Sequence, residues 1–216
     1  MANKTVNNVI FAGVGGQGNI LVSHLLADAA LASGIPVVLT ETFGAATRGG
    51  SVSSCVRMGN ASAPLMRKHT CQMIVGLEPL EGLRQALPNL MPGGWVLINE
   101  RTWTPLDVSA GRTEYPSLER ILEGFELLGG KVIHLDATGI AQELGNSRMM
   151  NIVLLGGLMA LGEIEIENSF LLEQMDKRWK PEIAATNKRA FSRGYELVLN
   201  FIKTSEYYQG SQNAGA

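Results

Sequence analysis

Six residues, Gly13-Val14-Gly15-Gly16-Gln17-Gly18, constrain this chain more than any others. They follow a short apolar run at 9–12 and lead into a stretch rich in Leu and Ala, 17–33, that Gly34 stops. A buried strand that ends in glycines and opens a helix is a tight βα turn. Glycine lets the backbone reverse sharply, and the first helical N–H groups stand unpaired with a partial positive charge. Positions 13, 15 and 18 satisfy the G-x-G-x-x-G spacing with which such turns receive a diphosphate. Glu41, after the next apolar run at 35–40, stands where a carboxylate would hold ribose hydroxyls. The same turn also serves close packing of a helix on a sheet. Glu41 equally suits an exposed strand end or a contact with a neighbouring chain.

Beyond this turn, strand-like and helical text alternate. Strands are expected at 51–58, 73–77, 95–98 and 132–135, with a Pro92-Gly93-Gly94 turn before the third, and helices at 79–87 and 118–128. After Asp136 the text is helical: 137–144, 151–161, 170–178 and 183–202, with Pro181 suited to the first turn of the last helix. The pattern specifies an α/β fold, a Rossmann-like, mainly parallel sheet flanked by helices with a helical C-terminal portion. Residues 1–204 read as a single domain without internal repeat or linker. The polar, glycine-bearing 205–216 reads as a disordered tail.

Charge and cysteine usage exclude several classes. The 216 residues carry 18 Lys plus Arg against 20 Asp plus Glu, which excludes a basic nucleic-acid binder and a polybasic membrane-surface protein. Residues 1–8 are polar, and the longest apolar run, 152–162, is too short to cross a bilayer, so a cytoplasmic protein without membrane contact is expected. Cys55 and Cys71 do not form a CxxC unit and cannot alone hold a four-cysteine cluster or a structural zinc. They read as buried, inert thiols without a disulfide.

A second loop, Gly44-Ala45-Ala46-Thr47-Arg48-Gly49-Gly50, puts one arginine among small side chains at the edge where open α/β sheets place ligands. Arg48 suits a bidentate grip on phosphate or carboxylate, and equally a salt bridge or a loop cap. Gly49 and Gly50 suit backbone turns or inter-chain packing. Residues 99–116 are irregular, and stretches of that length are usually functional or partner-facing. Trp103 within it suits an interface anchor or a cover for the core edge. No catalytic constellation emerges: no tyrosine has a Tyr-x-x-x-Lys partner, and His24, His69 and His134 form no triad. His24 and Asp28 read as a solvated i,i+4 pair. The residues alone leave open a stand-alone NAD- or S-adenosylmethionine-binding Rossmann enzyme and a nucleotide-sensing module.

Read together, Phe11-Ala12-Gly13-Val14-Gly15-Gly16-Gln17-Gly18, Thr40-Glu41-Thr42-Phe43-Gly44 and Arg48-Gly49-Gly50-Ser51-Val52 resemble the gamma-type domain of 2-oxoacid:ferredoxin oxidoreductases. Gly76-Leu77-Glu78-Pro79-Leu80-Glu81, Pro92-Gly93-Gly94 and Asn151-Ile152-Val153-Leu154-Leu155-Gly156 fit the same pattern, as does Pro181-Glu182 through Asn187, Lys188, Ala190 and Phe191. The likeness covers about residues 8–200 and is nearest to the small subunit of the indolepyruvate enzymes. It implies an oxidoreductase that decarboxylates an aryl 2-oxo acid such as indolepyruvate to acyl-CoA and carbon dioxide. It also implies larger partner subunits holding thiamine diphosphate with Mg and [4Fe-4S] clusters, CoA as co-substrate and ferredoxin as electron acceptor. No cofactor is expected in this chain and no residue of it is assigned as catalytic or metal-binding. Gly13, Gly15, Gly16, Gly18, Glu41, Arg48, Gly49 and Gly50 are the candidate CoA- or nucleotide-binding rim, and Trp103 the candidate interface residue. Whether the glycine loop binds CoA, binds nothing or supports an interface stays open at this level.

Overall fold

A computed structural model describes residues 6–44, 50–61, 63–103 and 114–205. Six strands form one sheet: β1 (Asn7–Val14), β2 (Val37–Phe43), β3 (Ser51–Met58), β4 (Cys71–Gly76), β5 (Leu90–Asn99) and β6 (Lys131–Leu135). Among the described residues, seven α-helices accompany them: α1 (Asn19–Ala32), α2 (Pro79–Asn89), α3 (Leu118–Leu127), α4 (Ala137–Glu143), α5 (Met150–Ala160), α6 (Asn168–Arg178) and α7 (Pro181–Thr204). The expected elements are all present, and the last four helices make up the helical C-terminal portion. The ends differ by a few residues. β2 runs past Thr40 to Phe43, and the assigned β5 takes in the Pro92-Gly93-Gly94 turn, with Gly93 at φ +77°. The candidate tail from 206 onward lies outside the described residues.

The sheet order is β2-β3-β1-β4-β5-β6. β1, β4, β5 and β6 pair in parallel, whereas β3 is antiparallel to both β1 and β2. β3 is therefore wedged between the first two strands, and the fold departs there from a wholly parallel, doubly wound sheet. The β3 side chains alternate with the period of two of a strand covered on one face. Val52, Ser54, Val56 and Met58 are buried, while Ser51, Ser53, Cys55 and Arg57 are half-covered.

β1 is apolar on both faces because both are covered. Val9 and Phe11 join the larger core with α1, α4, α5, α6 and α7, whereas Ile10 and Ala12 join a second core with α2 and α3. α5 is buried at every position and needs a neighbour that approaches closely. α7 is that neighbour. A Cβ on Gly156 would strike the Phe191 carbonyl, and one on Gly194 would strike the Val153 carbonyl. The two helices meet backbone to backbone through reciprocal glycines, which packs α5 tightly between α7 and the sheet.

Candidate functional site

The helix after β1 goes to one face of the sheet and the helix after β4 goes to the other, although β1 and β4 are adjacent. Their C-terminal ends thus diverge, and this is the switch point at which open α/β sheets leave a crevice for ligands. The glycine turn follows β1 there, and Leu77 and Glu78 follow β4. A cleft of about 400 Å³ opens at this edge, with Gly16, Arg101, Trp103, Thr138, Gln142 and Arg148 among its walls.

The glycine turn is filled largely by its own chain. The Val14 N–H donates to Gln17 Oε1 (2.9 Å), the Gln17 N–H to the Val14 carbonyl (3.2 Å) and the Gly15 N–H to the Gly50 carbonyl (2.9 Å). Gln17 Nε2 reaches across to the Leu77 carbonyl (3.3 Å) and ties the end of β1 to the end of β4. Gln17 Oε1 and the Asn19 amide occupy the space beside Gly13. Gly18 caps α1 in the left-handed conformation at φ +86°, and the Asn151 amide sits where its Cβ would be while donating to the Gln17 carbonyl (3.2 Å). Three of the N–H groups that a dinucleotide diphosphate would take are therefore spent within the protein. Gly16, at φ +102° with open space beside its Cα, lines the cleft together with Gln17.

Glu41 stands two strands away from the glycine turn. β3 separates β2 from β1, Glu41 pairs with Ser54, and its carboxylate is hydrogen-bonded to His24 Nε2 of α1 at 2.9 Å. The ribose-binding position of a dinucleotide fold lies on the strand next to β1, and here that neighbour is β3. The expected His24–Asp28 pairing gives way to this His24–Glu41 contact. Arg48 and Gly49 lie outside the described residues. Their flanks are described: the Gly44 N–H donates to the Ser51 carbonyl (2.7 Å), and Gly50 holds the glycine turn through Gly15. The two loops read as one unit in the sequence do touch, through Gly15 and Gly50.

Several residues that shape the cleft carry no sequence motif. Asn99, buried at the end of β5, donates to the Leu77 carbonyl (3.2 Å) and accepts the Thr138 N–H (3.2 Å), which fixes the end of β4 and the start of α4 around it. Arg101 and Arg148, from segments far apart in the chain, both line this cavity. Asp136 Oδ2 is 3.9 Å from Arg101, a long contact between half-exposed groups that leaves its donors largely available. Trp103 is 57% exposed beside them. Glu78, noted in the sequence without a role, is fully buried and caps α2 by accepting the Glu81 N–H at 2.8 Å.

The cysteines lie elsewhere. Cys71 is buried and Cys55, expected buried, is half-buried on β3; both are free, and burial pushes both thiols up. Among the described residues, no three His, Cys, Asp or Glu side chains converge as a metal site would require, and no helix is long and apolar enough to cross a membrane.

Against known proteins, residues 8–197 match the family described as pyruvate ferredoxin/flavodoxin oxidoreductase. The chain is 34% identical over 193 residues to the indolepyruvate oxidoreductase subunit IorB of Archaeoglobus fulgidus, covering 89% of this chain and 96% of that one. It is 35% identical over 199 residues to the subunit of the same name from Thermococcus kodakarensis, covering 90% and 97%. The crystal structure of pyruvate oxidoreductase subunit PORC from Thermotoga maritima superposes with a TM-score of 0.69 at 25% identity, covering 89% of this chain and 97% of that one.

Proposed function

The chain belongs to the pyruvate ferredoxin/flavodoxin oxidoreductase family, and we propose that it is the small, non-autonomous subunit of a complex that oxidatively decarboxylates an aryl 2-oxo acid such as indolepyruvate. Relatives of matching length named as indolepyruvate oxidoreductase subunits support this reading. In it, larger cytoplasmic partner subunits hold thiamine diphosphate with Mg and [4Fe-4S] clusters, and the complex yields acyl-CoA and carbon dioxide while reducing ferredoxin. The residues of this chain do not fit those groups. A four-iron cluster takes four thiolates, and the chain has two cysteines on different strands, one wholly enclosed and both disfavoured as thiolates. No chemical step is assigned to this chain.

Its contribution is the switch-point cleft, as a rim for CoA. The carrying observation is the pair Arg101 and Arg148 on one cavity beside Gly16. Guanidinium groups stay charged and match phosphate geometry, and the bare backbone at Gly16 permits close approach. Arg48 belongs to the same proposal as a further phosphate contact, together with Gly49 and Gly50 of its loop. Glu41 is engaged with His24 and has no part in it.

Losing one charge-assisted contact costs about 1.5–3 kcal/mol, or roughly ten- to a hundredfold in affinity. Arg148→Ala in the intact complex should raise the KM for CoA by that factor and leave thiamine and cluster content unchanged. An unaltered KM would remove the cleft from CoA binding.

A further inference from the structure

Asn151, Glu182 and Asn187 have no part in the switch-point cleft, yet the fold brings them to the wall of a second cavity. Its volume of about 450 Å³ falls within the roughly 300–1,000 Å³ of small-molecule sites. Glu182 and Thr186, like Ile183 and Asn187, stand four residues apart and share the face of α7 turned toward it. Leu21, Ile152, Ile183 and Trp179 give it apolar walls, and Ile183 is 50% exposed there. The buried Asn187 spends its Nδ2 on the Ile183 carbonyl (3.1 Å), and its Oδ1 takes no donor from the described residues. Two opposite charges complete the lining: Arg148, from the short turn Ser147–Met149, and Glu182, from the first turn of α7. Both side chains are exposed, and neither forms an ion pair with the other or with any other described residue. Opposite charges that line one cavity without neutralising each other are complementary to a ligand that carries both.

We propose that this second cavity binds a free amino acid with a large apolar side chain. Arg148 takes the carboxylate, Glu182 and the Asn187 Oδ1 take the ammonium group, and the ligand side chain covers Ile183 and Trp179. A guanidinium grips a carboxylate through paired donors, and an ammonium group offers three donors that only acceptors can meet. A 2-oxo acid carries the negative charge alone and would leave Glu182 unmatched beside it. The site is independent of the CoA reading, because of these residues only Arg148 also lines the switch-point cleft.

Equilibrium dialysis of the intact complex against labelled L-phenylalanine tests this, with phenethylamine and 3-phenylpropionate as competitors that each lack one of the two charges. The complex should retain one L-phenylalanine per copy of this chain, and each competitor should bind at least about tenfold more weakly. Glu182→Gln removes the charge and keeps the shape at an exposed position, so the complex should assemble normally while L-phenylalanine affinity falls at least about tenfold. Ile183→Ser, also exposed, should weaken L-phenylalanine as well, and neither variant should change kcat or the KM for the 2-oxo acid. A parent complex that retains no L-phenylalanine would overturn the proposal, as would competitors that bind as well as the amino acid. Retention that neither variant alters would put the amino acid at another site and overturn it too. If the parent retains none and both variants weaken association with the larger subunit, the cavity is a seat for the partner chain instead.

Discussion

The Gly15 N–H donates to the Gly50 carbonyl across 2.9 Å, joining the turn after β1 to the loop that precedes β3. With Gln17 folded back onto Val14 and Asn151 seated on Gly18, the glycine turn becomes a junction between β1, β3, β4 and α5. Its glycines serve close approach first, and only Gly16 opens on the cleft.

Gly16 and Gly18 should therefore respond differently to alanine. Both sit at positive φ, which costs a residue with a Cβ about 1–2 kcal/mol. At Gly16 nothing lies within 4 Å of the new methyl, so that strain is the whole penalty. At Gly18 the methyl must also displace the Asn151 amide, breaking its bonds to the Gln17 and Gly18 carbonyls. Urea unfolding of the isolated chain should show Gly18→Ala less stable than Gly16→Ala by at least about 1 kcal/mol. Equal losses would mean that Asn151 does not brace the turn.

Glu78 gives a pH signature. Burial raises its carboxyl above the ordinary value, and the Tyr115 and Glu81 hydrogen bonds only partly oppose this. Because the folded value lies above the unfolded one, the contribution of Glu78 to stability is fully present below the unfolded value near 4.5 and is lost as pH rises through the folded value. Glu78→Gln does not titrate at this position, and every other group is common to the two proteins. The stability of the parent minus that of Glu78→Gln should fall as pH rises from 4.5, read by denaturant unfolding across the acid-to-neutral range. A difference that rises with pH would place the folded value below the unfolded one.

Much of this was legible in the sequence, and the losses have physical causes. Periodicity and glycine placement located the elements because both faces of the central strands are covered and each helix has a clear start or stop. The wedging of β3 between β1 and β2 was not legible, since strand order depends on pairing between segments that look alike. That one insertion moved Glu41 away from the glycine turn, although its spacing along the chain suits a dinucleotide fold. Arg101 and Arg148 meet only through tertiary folding, so no local pattern joins them. Glu78 stood in a recognisable stretch, but the burial of its carboxyl at the start of α2 has no signature in residue type.

Trp103 tests the partner-facing edge. It is more than half exposed, so its removal should disturb the core little. Trp103→Ala should leave the unfolding midpoint of the isolated chain nearly unchanged. It should weaken association with the larger subunit by about tenfold or more, since a buried aromatic anchor is worth at least 1–2 kcal/mol. Titration of labelled chain against the larger subunit measures this, and equal affinity for mutant and parent would take Trp103 out of the interface.

The central claim is that this chain contributes a rim and a partner surface while the redox chemistry belongs to other subunits. It is tested most directly by measuring indolepyruvate- and CoA-dependent ferredoxin reduction with the isolated chain, with the larger subunit alone and with the two mixed. The account predicts no turnover by the isolated chain and full activity only in the mixture, saturating as the two reach their assembly ratio. Turnover of a 2-oxo acid by the isolated chain would contradict it.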